Sequence, residues 1–299
     1  MSTQAEERKP KELVLSNTRA QTYLKCPRAY KFKYIDEVPT PTENMDLQYG
    51  IFIHEQLEKG TTPDEFDAAE FKEIYQIYSW KEYFEDLRKE IDKRINEIKS
   101  EYSECEVFLE KELCYGFLQG KIDVAIVGMK SGRKSADIID YKVVGKAKVV
   151  EDLVTDSQPA IYTHLSSMEY GISTSDIVFH YASILKGYNK EVPLLQSGLP
   201  SKSKDNACGF RPYIRLLKRC IEKNHMDSQS VLMSYSGFLS ELEKQKCVKW
   251  VDYRMTKHSV DNYIKELKMI YDFIKANNVY IRRVDSFSCK RCEYSVYCN

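Results

Sequence analysis

Two apolar runs, residues 117–127 and 137–144, each carry an aspartate where a strand would bury it. The second, Ile138-Ile139-Asp140-Tyr141-Lys142, is short, rich in β-formers and preceded by turn residues, which specifies a strand. An ionised carboxylate inside such a strand is costly unless something pairs with it, so Asp140 demands a partner. Side chains at i and i+2 share a strand face, which sets Lys142 beside Asp140. If the two runs pair across the turn Lys130-Ser-Gly-Arg-Lys134, Asp123 of Gly120-Lys121-Ile122-Asp123 arrives beside them. Two converging carboxylates make an oxygen site for Mg²⁺ or Mn²⁺, and such an ion activates a phosphodiester and its attacking water. A neighbouring lysine would position that water or neutralise the developing charge. Taken alone, Asp-x-Lys is a common triplet that reads as a solvated strand face.

The flanking pattern supplies helices. Ser16 caps a helix over residues 17–34, broken at Pro27 just beyond Cys26. A second helix, about 47–58, carries His54, and a long charged one covers about 67–100. Residues 106–113 alternate loosely as a strand, separated from the next by Gly116 and Gly120. A helix over 157–170 closes on Gly171, and a strand follows at 177–185. Helices, three strands, a helix and a strand describe an α/β fold with a mixed sheet and helices packed on it. From 187 to about 249 the pattern weakens to a polar loop at 197–206 and a helix over 228–244. Thr256 then caps an amphipathic helix through Val260, Ile264, Leu267 and Ile274. We expect a polar tail at 1–15 and one domain at 16–299, with core motifs at 47–185, an insert at 187–249 and a C-terminal segment at 256–299.

Composition excludes little. Hydrophobic residues make up 42% and charged residues 30%, as in globular chains, and Lys+Arg balances Asp+Glu at 45 each. A basic surplus would have pointed to nucleic acid; its absence leaves that to local patches. No run approaches the roughly 18 apolar residues of a membrane span, and residues 1–11 lack a signal peptide's apolar core. We therefore expect a cytoplasmic protein without membrane partners.

Nine cysteines in such a chain point to reduced thiols or a metal site. Cys105, Cys114, Cys208, Cys220 and Cys247 are scattered singly and read as small semi-buried side chains. The tail, Cys289-Lys-Arg-Cys292-Glu-Tyr-Ser-Val-Tyr-Cys298, offers three thiolates, and Cys26 is the candidate for a fourth. Four soft thiolates select zinc or an iron–sulfur cluster, although structural zinc favours two short Cys pairs. Unligated terminal thiols would be a redox liability.

Four motifs fall in order: Gly50-x-x-x-His54-Glu55, Gly120-Lys-Ile-Asp123, Asp140-Tyr-Lys142 and Gln158-Pro-Ala-Ile-Tyr162. Singly, His54 reads as a core histidine and the Gln158/Tyr162 pair as one helix face. Together they resemble the RecB-like branch of the PD-(D/E)XK nucleases. That resemblance implies a restriction-endonuclease-like mixed sheet flanked by helices. It also implies a metal held by His54, Asp123, Asp140 and the Tyr141 carbonyl, Lys142 as catalytic lysine, and Gln158 and Tyr162 contacting DNA or orienting the site. Iron–sulfur members of the branch, including CRISPR-associated RecB-like nucleases and the exonuclease V type, place one cysteine ahead of these motifs and three at the C-terminal end. Residues 15–30 also look like that group's opening. The resemblance covers 16–185 and 256–299, and implies a 4Fe-4S cluster on Cys26, Cys289, Cys292 and Cys298 joining the N- and C-terminal helical segments. Asp140 replaces the more frequent glutamate, and no Walker motif is present, so unwinding would need a helicase partner.

The activity implied is a DNA exonuclease on single-stranded ends, threaded through a cluster-closed ring, with Arg28, Lys31, Lys33, Lys146 and Lys148 tracking phosphates. The alternatives are a partner-dependent adaptor, for instance beside a CRISPR integrase, and a non-catalytic DNA-binding module. Intact Asp123, Asp140 and Lys142 speak against the module.

Overall fold

The computed structural model describes residues 13–40, 44–62, 71, 79–186, 192–203, 208–276, 279–283, 289, 290 and 292–298. Most of the polar tail, and residues 67–70 and 72–78 of the expected long helix, lie outside them. Among the described residues, β1 (Glu104–Tyr115), β2 (Leu118–Lys130), β3 (Arg133–Val144), β4 (Ile177–Leu185) and β5 (Val248–Tyr253) form one sheet in that spatial order. β1, β2 and β3 are consecutive antiparallel hairpins, β3 and β4 run parallel, and β5 returns antiparallel to β4. The sheet is mixed, as expected. Ser131 and Gly132 both take positive φ, the geometry a two-residue hairpin turn requires.

Helices cover both faces. On one, α1 (Asn17–Lys25), α2 (Pro27–Tyr34), α6 (Gln158–Tyr170) and α9 (Lys257–Ala276) close a core through Ala20, Tyr30, Ile161, Leu165, Leu267 and Ile274. On the other, α3 (Met45–Lys59) and α4 (Trp80–Lys99) bring Tyr49, Ile53, Trp80, Phe84 and Leu87 against Ile126, Ile139 and Ala182. Alternation along the strands feeds both: Ala125 and Val127 face the first core, Val124 and Ile126 the second. The short α5 (Val150–Val154) and α6 form the crossover that parallel β3 and β4 need. Among the described residues, no helix is long and apolar enough to cross a membrane.

The structure departs from the sequence expectations in four places. Leu15, expected to end the polar tail, is fully buried and bridges Leu118. Gly120, expected to separate strands, lies inside β2, while Gly116 at φ 59° makes the turn. The insert holds α7 (Phe210–Lys223) as well as the expected α8 (Ser228–Glu243), and the two build a separate small core around Tyr213, Leu217, Ile221 and Tyr235. Finally, β5 begins inside the stretch assigned to the insert and supplies the sheet's edge.

Candidate active site

The β2–β3 ladder ends at Val124↔Ile139. Asp123 and Asp140 are the next residues along each strand, so both carboxylates stand where the strands part. Asp123 Oδ2 accepts the Tyr141 N–H at 2.6 Å, replacing the ladder bond that the parting strands give up. The side-chain alternation of β2 also breaks here, although its register with β1 does not: Ile122 packs into the first core and Val124, of the same parity, into the second. Opposite this point on β1, Glu110 takes φ +50°. Such a backbone is sparsely populated for glutamate and belongs among observations that single out a site.

Asp140 is 1% exposed. Its Oδ1 accepts from Lys142 Nζ at 2.7 Å and from Gln158 Nε2 at 2.7 Å, while its buried Oδ2 has no hydrogen-bond partner among the described residues. Lys142 Nζ also reaches the Tyr141 carbonyl at 3.2 Å. Gln158 begins α6, and its own amide donates to Asp156 Oδ1 at 2.9 Å, which pins the first turn. One turn on, Tyr162 donates its hydroxyl to the Lys121 carbonyl at 2.7 Å. A Cβ on Gly120 would lie 2.8 Å from the Tyr162 ring, so glycine is what lets α6 lie this close to β2. His54 projects from α3 with Nδ1 3.6 Å from Asp123 Oδ1. One ligand atom each from His54, Glu110 and Asp123 falls within 4.8 Å of the others.

The electrostatics fit a cation. Burial, then repulsion from Asp140, pushes the Asp123 carboxyl up to about 8. Burial, then the Lys142 charge, pushes His54 down, leaving its imidazole neutral and free to ligate. Burial works against the Lys142 charge, but Asp140 and then Asp123 outweigh it and raise its proton affinity. Crowded carboxylates, a neutral histidine and an orphaned buried oxygen are a donor set with a place for a hard divalent ion.

The structure therefore brings His54, Asp123, Asp140, Tyr141, Lys142, Gln158 and Tyr162 together around one strand split. Sequence reasoning missed Glu110, one of several glutamates on a loosely alternating strand; only the β1–β2 register selects it. Three of the expected phosphate contacts are already paired: Lys31 with Asp36, Lys33 with Glu293 and Lys148 with Asp156.

At the chain ends, Cys26 caps α2 and lies close enough to Cys298, with Cys292, to raise its thiol pKa, burial being the larger cause. Lys33 pairs with Glu293 at 3.0 Å, Arg283 donates to the Leu24 carbonyl at 2.9 Å, and Phe32 packs on Tyr294. Among the described residues, no three cysteine sulfurs lie within 4.8 Å of one another.

The profile of the PD-(D/E)XK nuclease superfamily matches residues 14–299. Among solved structures, a candidate exonuclease from Eubacterium rectale is similar at 13% identity, with 97% of this chain and 93% of that one covered and a TM-score of 0.46. A second, SSO0001, is similar at 12% identity, with 98% and 89% covered and a TM-score of 0.34. A search of curated proteins found no significant match.

Proposed function

Since the chain belongs to the PD-(D/E)XK nuclease superfamily, we propose that it is a metal-dependent DNA exonuclease of the RecB-like branch, acting on single-stranded ends in the cytoplasm. The observation that carries this reading is Asp140, buried, held through one oxygen by Lys142 and Gln158 and bare on the other. His54, Asp123, Asp140 and the Tyr141 carbonyl would hold Mg²⁺ or Mn²⁺. A bound ion of this kind supplies charge stabilisation at the phosphate and an activated water. Lys142 keeps its proton, so it serves as a donor to the phosphate oxygens rather than as a base. Gln158 fixes the Asp140 carboxylate, and Tyr162 fixes the β2 main chain that carries Asp123.

A 4Fe-4S cluster on Cys26, Cys289, Cys292 and Cys298 would join the two ends of the chain. The flanking contacts between α2 and the C-terminal segment, Lys33 with Glu293 and Phe32 with Tyr294, support it. A second reading, a partner-dependent adaptor working with a helicase or a CRISPR integrase, draws on the separate core of the insert and its 69% exposed Met233.

The test is to incubate anaerobically purified protein with labelled linear and circular single-stranded DNA, with Mg²⁺ or Mn²⁺ and with chelator. Metal-dependent shortening of the linear strand alone supports the exonuclease. Cutting of the circle would make it an endonuclease, and activity appearing only with a partner protein would favour the adaptor.

A further inference from the structure

The His54–Asp123 site has a carboxylate that none of the four motifs contains. We propose that Glu110 is an additional ligand of the divalent ion, and that Lys121 holds its carboxylate in place while the ion is away. The inference rests on the metal reading above and adds a residue to it.

Placement comes first. Leu109↔Val124 and Lys111↔Ile122 flank Glu110 and set it opposite Asp123 across the β1–β2 ladder. A regular antiparallel pair would put both side chains on one sheet face with nothing to aim them at a common point. Here the φ of +50° at Glu110 and the change of face between Ile122 and Val124 break that regularity at one level of the sheet. A ligand oxygen of Glu110 thereby comes within 4.8 Å of one on Asp123 and of a His54 ring nitrogen. The Glu110 side chain is only 18% exposed on a strand whose neighbours largely face solvent.

Three ligand residues do not by themselves make a site. The independent observation is Asp140 Oδ2, buried and without a partner, on the carboxylate next to the Tyr141 amide that Asp123 holds. A carboxylate oxygen left bare in the interior is costly, and a cation beside it removes the cost. Hard divalent ions take oxygen ligands from several carboxylates, so a fourth side chain fits their chemistry.

Lys121 gives Glu110 its second role. Its Nζ lies 2.5 Å from Glu110 Oε2, and its side chain is 52% exposed, free to swing away. With its lysine more than half exposed, the pair is screened by solvent, so a cation can displace it at little cost. Lys121 therefore competes with the ion for the same carboxylate.

The experiment is a Mn²⁺ titration, read as free Mn²⁺ by electron paramagnetic resonance, on wild type, Glu110→Gln, Lys121→Met, the double variant and Asp123→Asn. Circular dichroism confirms that each is folded. Glu110→Gln should weaken Mn²⁺ binding by about 10-fold or more. Lys121→Met should tighten it by about 3-fold and lose that effect in the Glu110→Gln background, because the two residues act on one another. Unchanged binding by Glu110→Gln, with binding lost in Asp123→Asn, overturns the ligand role and leaves the metal reading standing. Unchanged binding in both overturns the metal reading itself. A Lys121→Met variant that binds no more tightly than wild type overturns the counter-ion role.

Discussion

Asp123 holds the Tyr141 amide at 2.6 Å with one carboxylate oxygen and lies 3.6 Å from His54 with the other. One side chain thus splices β2 to β3 where their ladder stops and faces the site with its remaining oxygen. Its two tasks depend on different properties: hydrogen-bond acceptance for the splice, charge for the site.

Asp123→Asn separates them. An amide oxygen still accepts from Tyr141, whereas a neutral amide is free of the burial penalty, and then the Asp140 repulsion, that push the carboxyl up to about 8. In metal-free buffer at neutral pH, urea denaturation should show the Asp123→Asn variant no less stable than wild type, gaining roughly 1 kcal/mol or more because folding no longer has to protonate a carboxyl that is ionised in the unfolded chain. Asp123→Ala, which orphans the amide, should lose about 1–3 kcal/mol. Equal losses in both variants would contradict the division of labour.

Gly120→Ala tests the approach of α6. The added methyl meets the Tyr162 ring at 2.8 Å and Leu165 at 3.2 Å. We expect a loss of about 1–3 kcal/mol in urea denaturation, as for other overpacked sites. A Tyr162→Phe background should leave most of that loss in place, since the clash is with ring carbons and not the hydroxyl.

Much of this was legible because the features are local in sequence. Asp140 and Lys142 share a face by strand periodicity, and the hairpin residues 130–134 bring Asp123 alongside. Ser16 and Thr256 announced their helices by capping chemistry. Glu110 was not legible, because its meaning comes from a partner strand and a positive φ that no residue type signals. β5 was hidden in Val248-Lys-Trp-Val-Asp-Tyr253, a short edge strand with little alternation. α7 lacks a side-chain cap after Gly209 and carries Pro212 near its start, which obscured an apolar face running through Tyr213, Leu216, Leu217 and Cys220.

Level with Ile139 on the neighbouring strand, His180 of β4 is sandwiched between Asp137 at 2.6 Å and Asp252 at 2.7 Å. Tyr102 and Lys130 also face Asp137, and Arg94 faces Asp252. Despite burial, hydrogen bonds to both aspartates raise the His180 pKa. Against burial, His180 and Tyr102 lower that of Asp137, and His180 chiefly lowers Asp252 to about 2. The raised histidine stabilises below its unfolded value and loses that contribution as pH rises through its folded value. The depressed aspartates stabilise above their unfolded values and lose theirs as pH falls toward about 2. His180→Gln should therefore cost most between about pH 4 and 6.5, roughly 2–4 kcal/mol, and progressively less at higher pH. A cost that stays constant from acid to alkaline pH would contradict a charged bridge.

The chain ends make a compositional prediction. Anaerobically purified protein should carry about four irons, and Cys26→Ser should lose them. Stoichiometric zinc, with no iron, would contradict the cluster.

The central claim is that Lys142, held by Asp140 at 2.7 Å, is the donor that completes a metal-dependent nuclease site. The most direct measurement compares the single-turnover rate of wild type and Lys142→Ala on end-labelled single-stranded DNA with saturating Mg²⁺, alongside Mn²⁺ affinity. We predict a rate lower by about 10²–10³-fold with Mn²⁺ affinity within a few-fold of wild type. A Lys142→Ala protein that degrades DNA at the wild-type rate would contradict the account.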